Sequence, residues 1–131
     1  MVHRLDKDTS GLLLLAKTPT AKKQLEAQFR EGALHRQYEA LVWGQLVPNR
    51  GEIKVAVGRI PHQPQLLGAD PSGVWGKPAL TRYEVLTQHQ DRAHVALFPQ
   101  TGRTHQLRIH LHWINHPIVG DQRYKHPGNP P

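Results

Sequence analysis

The pattern of apolar and polar residues predicts an initial strand followed by a helix. The apolar run at residues 12–16, Leu-Leu-Leu-Leu-Ala, predicts a short, fully buried strand. Thr18 and Pro19 then match an N-cap residue and a proline at the first helical position. Gly32 is the expected C-cap of this helix. Its apolar face recurs at four-residue spacing, with charged residues between the members: Ala21, Leu25 and Phe29.

The rest of the chain predicts further strands and one more helix. Residues rich in β-branched and aromatic side chains predict four strands: 37–43, 52–57, 79–86 and 94–98. The interval 59–78 contains four prolines and predicts an irregular loop. A second helix is expected at about residues 104–115, stopped by Pro117, and the tail 126–131 is expected to fray. This order predicts one α+β domain over residues 1–131, with a mixed, mostly antiparallel sheet and two flanking helices.

The amino-acid composition predicts an anionic partner. The 131 residues carry a formal net charge of +7 at pH 7, and hydrophobic residues make up 37%. A small, strongly basic domain attracts polyanions, which leaves RNA, DNA and an anionic membrane open. The longest apolar run is too short to cross a bilayer, and charged residues follow Met1 at once, unlike a signal peptide. With no cysteine to form disulfides or thiolate ligands, the expected location is cytoplasmic.

Two polar segments lie where a predicted rigid element meets a loop. Residues 3–11 read His-Arg-Leu-Asp-Lys-Asp-Thr-Ser-Gly, and residues 101–108 read Thr-Gly-Arg-Thr-His-Gln-Leu-Arg. Nearby cations favour an ionised Asp6, which can act as a nucleophile, a base or a salt-bridge partner. The helix start after Gly102 offers backbone N–H groups to a phosphate. Structural roles are the ordinary alternative for such residues, and a strand tyrosine such as Tyr38 is by default a core aromatic.

The ten histidines raise the possibility of a metal site. His112 and His116 have the four-residue spacing of helical zinc ligands, and His105 lies seven residues before His112. However, no glutamate lies in this stretch, and Pro117 is expected to end the helix. The sequence therefore predicts no metal site.

Four motifs, in order along nearly the whole chain, resemble the RluA-type RNA pseudouridine synthases. The segment His3-Arg4-Leu5-Asp6-Lys7-Asp8-Thr9-Ser10-Gly11-Leu12-Leu13-Leu14 looks like the central motif of that family. The family's other motifs resemble Gln37-Tyr38-Glu39-Ala40-Leu41-Val42-x-Gly44, Gly76-Lys77-Pro78-Ala79-x-Thr81-x-Tyr83, and Thr101-Gly102-Arg103-Thr104-His105-Gln106-Leu107-Arg108-Ile109-His110 followed by His116-Pro117-Ile118-Val119-Gly120-Asp121. The stretch 50–83 most resembles the large-subunit rRNA synthase D subgroup.

The resemblance implies a role for several residues. It implies that Asp6 is the catalytic aspartate, that Tyr38 packs on the target base and that Arg103 pairs with the aspartate. It also implies that Arg4 fills the gap left by the flipped base and that Leu107 packs near the uracil. Three further cations are expected to bind RNA: Lys7, Lys77 and Arg108.

The implied reaction converts uridine to pseudouridine by breaking the N1–C1′ bond and rejoining the uracil through C5. Because no group leaves and nothing is oxidised, no cofactor is expected. The expected partner is RNA, most specifically rRNA, with no membrane and no obligate protein partner. Compared with the family, the chain lacks N-terminal strands and a C-terminal end, so the alternative expectation is a catalytically inactive or truncated RNA-binding fragment.

Overall fold

The computed structural model describes residues 3–125, in two compact units. The first unit ends at His35 and the second begins at Arg36. The predicted frayed tail, residues 126–131, lies outside the described residues. Across the described part of the chain, no helix is long and apolar enough to span a membrane.

The first unit contains one helix, α1, which spans Pro19–Arg30. The Thr18 side chain accepts a hydrogen bond of 3.0 Å from the backbone N–H of Ala21, which satisfies one of the donors left open at a helix start. Glu31 is the C-cap, and Gly32 follows with φ 75°, a conformation that favours glycine. The predicted helix, its N-cap and its glycine stop are therefore confirmed, with the cap one residue earlier.

The prediction of a buried strand at residues 12–16 is wrong. No strand is present there, and Leu12 and Leu15 are 95% and 61% exposed. Leu13 and Leu14 are also exposed, and no residue of 3–35 is buried. A strand needs a neighbour for its backbone groups, and within residues 3–125 this segment pairs with none. Apolar residues in sequence therefore identified a segment suited to burial, but not its partner.

The second unit is built from two antiparallel sheets and one helix. A four-stranded sheet has the order β1-β6-β5-β2, and a separate hairpin pairs β3 with β4. The elements are β1 Tyr38–Trp43, β2 Arg50–Lys54, β3 Ala56–Ile60, β4 Gln63–Asp70, β5 Leu80–Gln88, β6 Arg92–Pro99 and α2 Gln106–Trp113. These elements confirm the predicted α+β class with antiparallel sheets and two helices.

Two predicted boundaries in this unit need correction. Residues 52–57 form the end of β2 and the start of β3, which belong to different sheets. Ile53 and Val57 are nevertheless both buried, each in the strand of a different sheet. The predicted irregular loop over residues 59–78 is wrong, because β4 occupies its centre and pairs with β3. Pro64 is tolerated in β4 because a two-stranded hairpin leaves one side of each strand free of ladder hydrogen bonds.

The main core lies between the four-stranded sheet and α2. Its buried members are Val42, Leu46, Ile53, Val55, Tyr83, Ala93, Val95, Leu97 and Leu111. Helix α2 packs against β4 and β6 and buries Ile109, His110 and Leu111. The predicted strands at residues 37–43, 79–86 and 94–98 are confirmed as β1, β5 and β6. Strand β6 contributes to this core and ends at Pro99, just before the second polar segment.

Candidate active site

The predicted catalytic aspartate lies in a tight turn of the first unit. The carbonyl oxygen of Asp6 accepts a 3.0 Å hydrogen bond from the backbone N–H of Thr9. Within the turn, Asp8 adopts φ 67°, a left-handed conformation that aspartate tolerates better than most residues. Asp6 is half-buried, whereas Arg4 and Lys7 are exposed. Asp6 thus belongs to a short turn, and the cationic side chains that flank it in sequence are open to solvent.

His3 connects this turn to the leucine segment and to α1. Its Nε2 accepts a 3.0 Å hydrogen bond from the backbone N–H of Leu14. The imidazole ring also contacts the Phe29 ring, with 5.3 Å between the ring centroids. The Nδ1 atom is buried and has no hydrogen-bond partner among residues 3–125. His3 therefore joins the start of the central motif to the leucine segment and to α1.

Tyr38 and Leu107 both pack against the main core of the second unit. Tyr38 begins β1 opposite Leu97 of β6. Leu107 lies in the first turn of α2. Both side chains are half-buried and pack against the main core cluster. One predicted base-contacting aromatic and one aliphatic wall residue are therefore anchored on the same core.

Arg103 lies on the loop between the end of β6 and the start of α2. Its Nε donates a 2.9 Å hydrogen bond to the carbonyl oxygen of Pro78. Lys77, the residue before Pro78, is exposed and exchanges two backbone hydrogen bonds of 2.9 Å with Val57. The structure thus brings Arg103 next to the segment that carries Lys77. The predicted pairing of Arg103 with Asp6 involves both units and stays a prediction.

Asp70 shapes the connection that ends in Lys77 and Pro78. Its carboxylate accepts hydrogen bonds of 2.8 Å from the backbone N–H groups of Trp75 and Gly76, and further ones from the backbone N–H and hydroxyl of Ser72. Burial raises the pKa of this carboxyl, but these hydrogen bonds outweigh burial and hold the pKa at about 2. A charged carboxylate therefore organises the turn before Lys77 at neutral pH.

Gln106 holds the other side of the Arg103 loop from inside the protein. Its Oε1 accepts a 2.6 Å hydrogen bond from the Thr101 hydroxyl and a 3.0 Å bond from the backbone N–H of Arg103. Its Nε2 donates to the carbonyl oxygen of Leu80 at 3.1 Å and to the Thr81 hydroxyl at 3.0 Å. The buried Gln106 amide therefore donates two hydrogen bonds and accepts two.

A buried histidine continues this network. His110 is fully buried, with Nδ1 2.8 Å from the Thr81 hydroxyl and Nε2 2.9 Å from the carbonyl oxygen of Val55. Burial lowers the pKa of the imidazole, and the hydrogen bond with Val55 offsets this only in part. A neutral His110 then donates from Nε2 to Val55 and accepts the Thr81 hydroxyl proton at Nδ1. His110 therefore has a structural role, because it joins α2 to β5 and to the backbone at Val55.

Arg36 is a site residue that the sequence reasoning missed. Its Nη2 donates a 3.1 Å hydrogen bond to the carbonyl oxygen of Thr101. A Cβ at Gly102 would lie 3.1 Å from the same Nη2 atom, so glycine lets the guanidinium approach the loop closely. Arg36 stands two residues before Tyr38, and nothing in its local sequence distinguished it from a surface charge.

Arg108, predicted to bind RNA, forms an ion pair. Its Nε and Nη2 donate to the two carboxylate oxygens of Asp121 at 2.8 and 3.0 Å, and its guanidinium lies 4.9 Å from the Tyr124 ring centroid. Burial raises the pKa of Asp121, but Arg108 and the backbone N–H groups of Tyr124 and Arg123 outweigh it and lower that pKa. Any RNA contact of Arg108 would be additional to this ion pair.

The histidines weighed as metal ligands have other neighbours. His116 Nδ1 lies 2.8 Å from the carbonyl oxygen of Trp43, and His105 Nδ1 lies 2.8 Å from the Tyr124 hydroxyl. The His112 ring packs at a tilt beside the same tyrosine. Within residues 3–125, no group of three potential ligands is placed to hold a metal ion.

The fold and the site define a basic α+β protein with an aspartate turn and an arginine-bearing loop. A family model described as RNA pseudouridylate synthase matches residues 1–113, a range that includes the predicted catalytic residues and all the predicted RNA-binding ones. The chain belongs to the RNA pseudouridylate synthase family. The resemblance noted in the sequence is thus confirmed at the level of the family.

Individual relatives agree with this assignment. The chain is 41% identical over 130 residues to the ribosomal large subunit pseudouridine synthase D of Neisseria meningitidis, and it covers 34% of that protein. It is 42% identical over 130 residues to the dual-specificity RNA pseudouridine synthase RluA of Pasteurella multocida, and it covers 57% of that one. The match includes 99% and 95% of this chain, respectively, so the chain spans between a third and three fifths of these relatives.

Solved structures share the fold. Human RNA Pseudouridylate Synthase Domain Containing 1 is similar with a TM-score of 0.84 and 34% identity, over 95% of this chain and 54% of that one. Human RNA Pseudouridylate Synthase Domain Containing 4 is similar with a TM-score of 0.80 and 29% identity, over 94% and 50% of the two chains. The architecture of the described residues is therefore that of pseudouridine synthase domains.

Proposed function

We propose that this chain carries the catalytic centre of an RNA pseudouridine synthase, with Asp6 as its essential carboxylate. The observation that carries the proposal is the family match over residues 1–113, which includes Asp6 in its complete motif. The enzyme isomerises uridine in RNA by breaking the N1–C1′ bond and forming a bond from C1′ to C5 of the same uracil. Atoms balance without a co-reactant, because the C5 proton is lost and N1 gains one.

Tyr38 and Leu107 supply the surfaces that a rotating uracil needs. A free base must stay confined while it turns, and an aromatic ring with an aliphatic wall confines it without competing hydrogen bonds. Both side chains are half-buried on the main core, so they are available at one face and fixed at the other. In the proposed mechanism Tyr38 packs on the base and Leu107 borders it.

Arg103 and Asp6 form the charged part of the proposed centre. A guanidinium favours the ionised form of a carboxylate, which Asp6 needs either as a nucleophile at C1′ or as a base at C2′. The Nε–H of Arg103 is held by the Pro78 carbonyl oxygen, which leaves the planar group with a set orientation. Proposed contacts of Arg4 with the vacated base stack complete the set, because a flipped base leaves a gap that a guanidinium can fill by stacking.

RNA is the proposed substrate and partner. A net charge of +7 suits a phosphate backbone, and Lys7 and Lys77 are exposed cations beside the predicted site residues. Arg108 is included among the RNA-binding residues through contacts additional to its ion pair. Large-subunit rRNA is proposed because one similar relative is a ribosomal large subunit synthase, and a cytoplasmic location is proposed together with that substrate. Residues 1–131 are proposed to belong to the catalytic domain of the pseudouridine synthase.

The test compares two neighbouring carboxylates in the same turn. Wild type, Asp6→Asn and the matched control Asp8→Asn are incubated with transcribed fragments of large-subunit rRNA and with unrelated RNA of equal length, and pseudouridine is mapped. Asp8 is exposed and its left-handed conformation suits asparagine, so Asp8→Asn is expected to retain activity. Asp6→Asn is expected to lose at least about 10³-fold in rate while RNA affinity stays within about threefold.

Three outcomes would count against the proposal in different ways. Equal product from wild type and Asp6→Asn would remove Asp6 as the catalytic residue. Salt-sensitive RNA binding with no product from any variant would favour the inactive RNA-binding fragment. Product on unrelated RNA at the same rate as on rRNA fragments would leave the reaction standing but remove the proposed substrate.

A further inference from the structure

We propose that Gln106 is a positioning residue that holds the backbone of Arg103 in its working place, an inference that rests on the proposed function. Arg103 lies on the short connection between Pro99, the last residue of β6, and Gln106, the first of α2. Such a connection has few backbone contacts of its own, so the direction of the Arg103 side chain depends on what holds the loop.

The Gln106 amide joins this loop to β5. Its oxygen accepts hydrogen bonds from two groups of the loop, the Thr101 hydroxyl at 2.6 Å and the Arg103 N–H at 3.0 Å. Its nitrogen donates to Leu80 and Thr81 of β5, at 3.1 and 3.0 Å. A primary amide is the neutral side chain that offers two donors and a double acceptor together. Glutamate would lose both donors, and an aliphatic residue would lose all four bonds.

Donor and acceptor roles in the network are mutually consistent. The Thr101 hydroxyl accepts the Leu80 N–H at 3.1 Å and so donates its proton to Gln106. The Thr81 hydroxyl accepts from Gln106 and so donates its proton to His110 Nδ1. These directions fix which end of the Gln106 amide faces the loop. Reversing the amide would place NH₂ against the Arg103 N–H, a contact between two donors.

The loop is thus held from inside by Gln106, while Arg103 is held at its side chain by Pro78. Gln106 is only 4% exposed, so its hydrogen bonds meet little competition from water. Losing them would leave buried donors and acceptors unpaired and free the loop to shift. A shift of about 1 Å in a catalytic group can cost about 100-fold in rate, although the substrate still binds.

The test measures rate and binding separately. Gln106→Met conserves size and removes all four hydrogen bonds. Single-turnover rate constants at saturating RNA are expected to fall about 30- to 100-fold, with the RNA Kd within about threefold of wild type. Tyr83→Phe is the matched control, because it removes one hydrogen bond of the same unit, from the Tyr83 hydroxyl to Pro48 at 2.9 Å. It is expected to leave the rate constant within about threefold.

A double-mutant cycle separates positioning from general destabilisation. Arg103→Lys keeps a charge but lacks the planar fork, so activity falls without vanishing. If Gln106 acts through Arg103, then adding Gln106→Met to Arg103→Lys lowers the rate by less than about threefold. A full 30- to 100-fold further loss, or an equal loss in Tyr83→Phe, would overturn the inference.

Two further measurements keep the inference decidable. Should Gln106→Met fail to fold, Thr101→Ala removes one donor to the amide, and Thr101→Ser restores it; loss with alanine and recovery with serine support the role, and equal rates overturn it. If wild type makes no pseudouridine, the proposed function fails instead. Hydrogen exchange at the Arg103 amide then decides the positioning: faster exchange in Gln106→Met than in Tyr83→Phe supports it, and equal exchange overturns it.

Discussion

The Asp6 turn and the Arg103 loop carry the two most informative motifs of this chain, but they are held in different ways. The Asp6 turn has a backbone hydrogen bond across the turn and, nearby, the His3 contact with Leu14, and none of residues 3–35 is buried. The Arg103 loop is held by a buried amide, two threonine hydroxyls and a buried histidine, as described above. The chemical importance of a motif and the number of contacts that hold it are therefore separate properties.

The largest expected effect contrasts leucines of the two units. Leu97→Ala is expected to lower the free energy of unfolding by about 2–5 kcal/mol, because Leu97 is 1% exposed and the mutation leaves a cavity in the main core. Leu12→Ala is expected to change it by less than about 0.5 kcal/mol, because Leu12 is 95% exposed. Urea unfolding of both variants measures the difference. A similar loss from Leu12→Ala would show that the leucine segment is packed in solution.

The next effect comes from the ion pair beside α2. Asp121→Asn is expected to destabilise the protein by about 1–3 kcal/mol, because the Asp121 side chain is 5% exposed and accepts both hydrogen bonds of Arg108. Glu26→Gln in α1 is the control from the first unit, since its contact with Lys22 is long, at 3.9 Å, and exposed. Thermal unfolding compares the two. Equal changes in melting temperature would contradict the difference in anchorage.

A pH effect is expected from His110. Its pKa is lowered in the folded state from 6.5, so below pH 6.5 the unfolded chain binds more protons and stability falls as the pH falls. Above pH 6.5 the contribution is fully present, and the slope below it is at most about 1.4 kcal/mol per pH unit. Urea titrations from pH 7.5 to 5 measure this slope. His110→Gln is expected to flatten it, and His35→Gln, an exposed position of the first unit, to leave it unchanged.

The smallest effect concerns the cap of α1. Thr18→Ala removes the acceptor for the Ala21 N–H and is expected to cost about 1 kcal/mol in helix stability, whereas Thr18→Asn keeps an acceptor. Because no residue of α1 is buried, this local loss is expected as reduced helicity by circular dichroism, with little change in the melting of the sheet. A large drop in sheet melting would instead show that the two units unfold together.

Elements with local signals were predictable from the sequence. The Thr18-Pro19 start and the Gly32 stop define α1 through short-range hydrogen bonds and backbone preferences, and the structure has both. The β-branched and aromatic residues that predicted the strand from Leu80 are an equally local signal. By contrast, β4 was predicted as a loop because Pro64 and Pro71 suggest irregular structure, and its pairing with β3 depends on a partner that the local pattern does not show.

Part of the candidate site was predictable for the same reason. Tyr38, Arg103 and Lys77 stand in motifs. The structure places Tyr38 on the main core and Arg103 beside the segment that carries Lys77. Arg36 had no signal, because a single arginine before a strand matches many surface positions. The Arg108 ion pair with Asp121 depends on a contact across thirteen residues, which spacing alone does not indicate.

The family, the chemistry proposed for Asp6, the basic charge and the ends of α1 could be predicted from the sequence, because these depend on residue identity or on neighbours within a few positions. The pairing of segments, the contacts by which Gln106 and Arg36 hold the Arg103 loop, and the exposure of the leucines after the Asp6 turn required the three-dimensional structure. Burial and hydrogen-bond partners depend on residues far apart in the chain, so a local pattern can show that a segment suits burial but cannot supply what covers it.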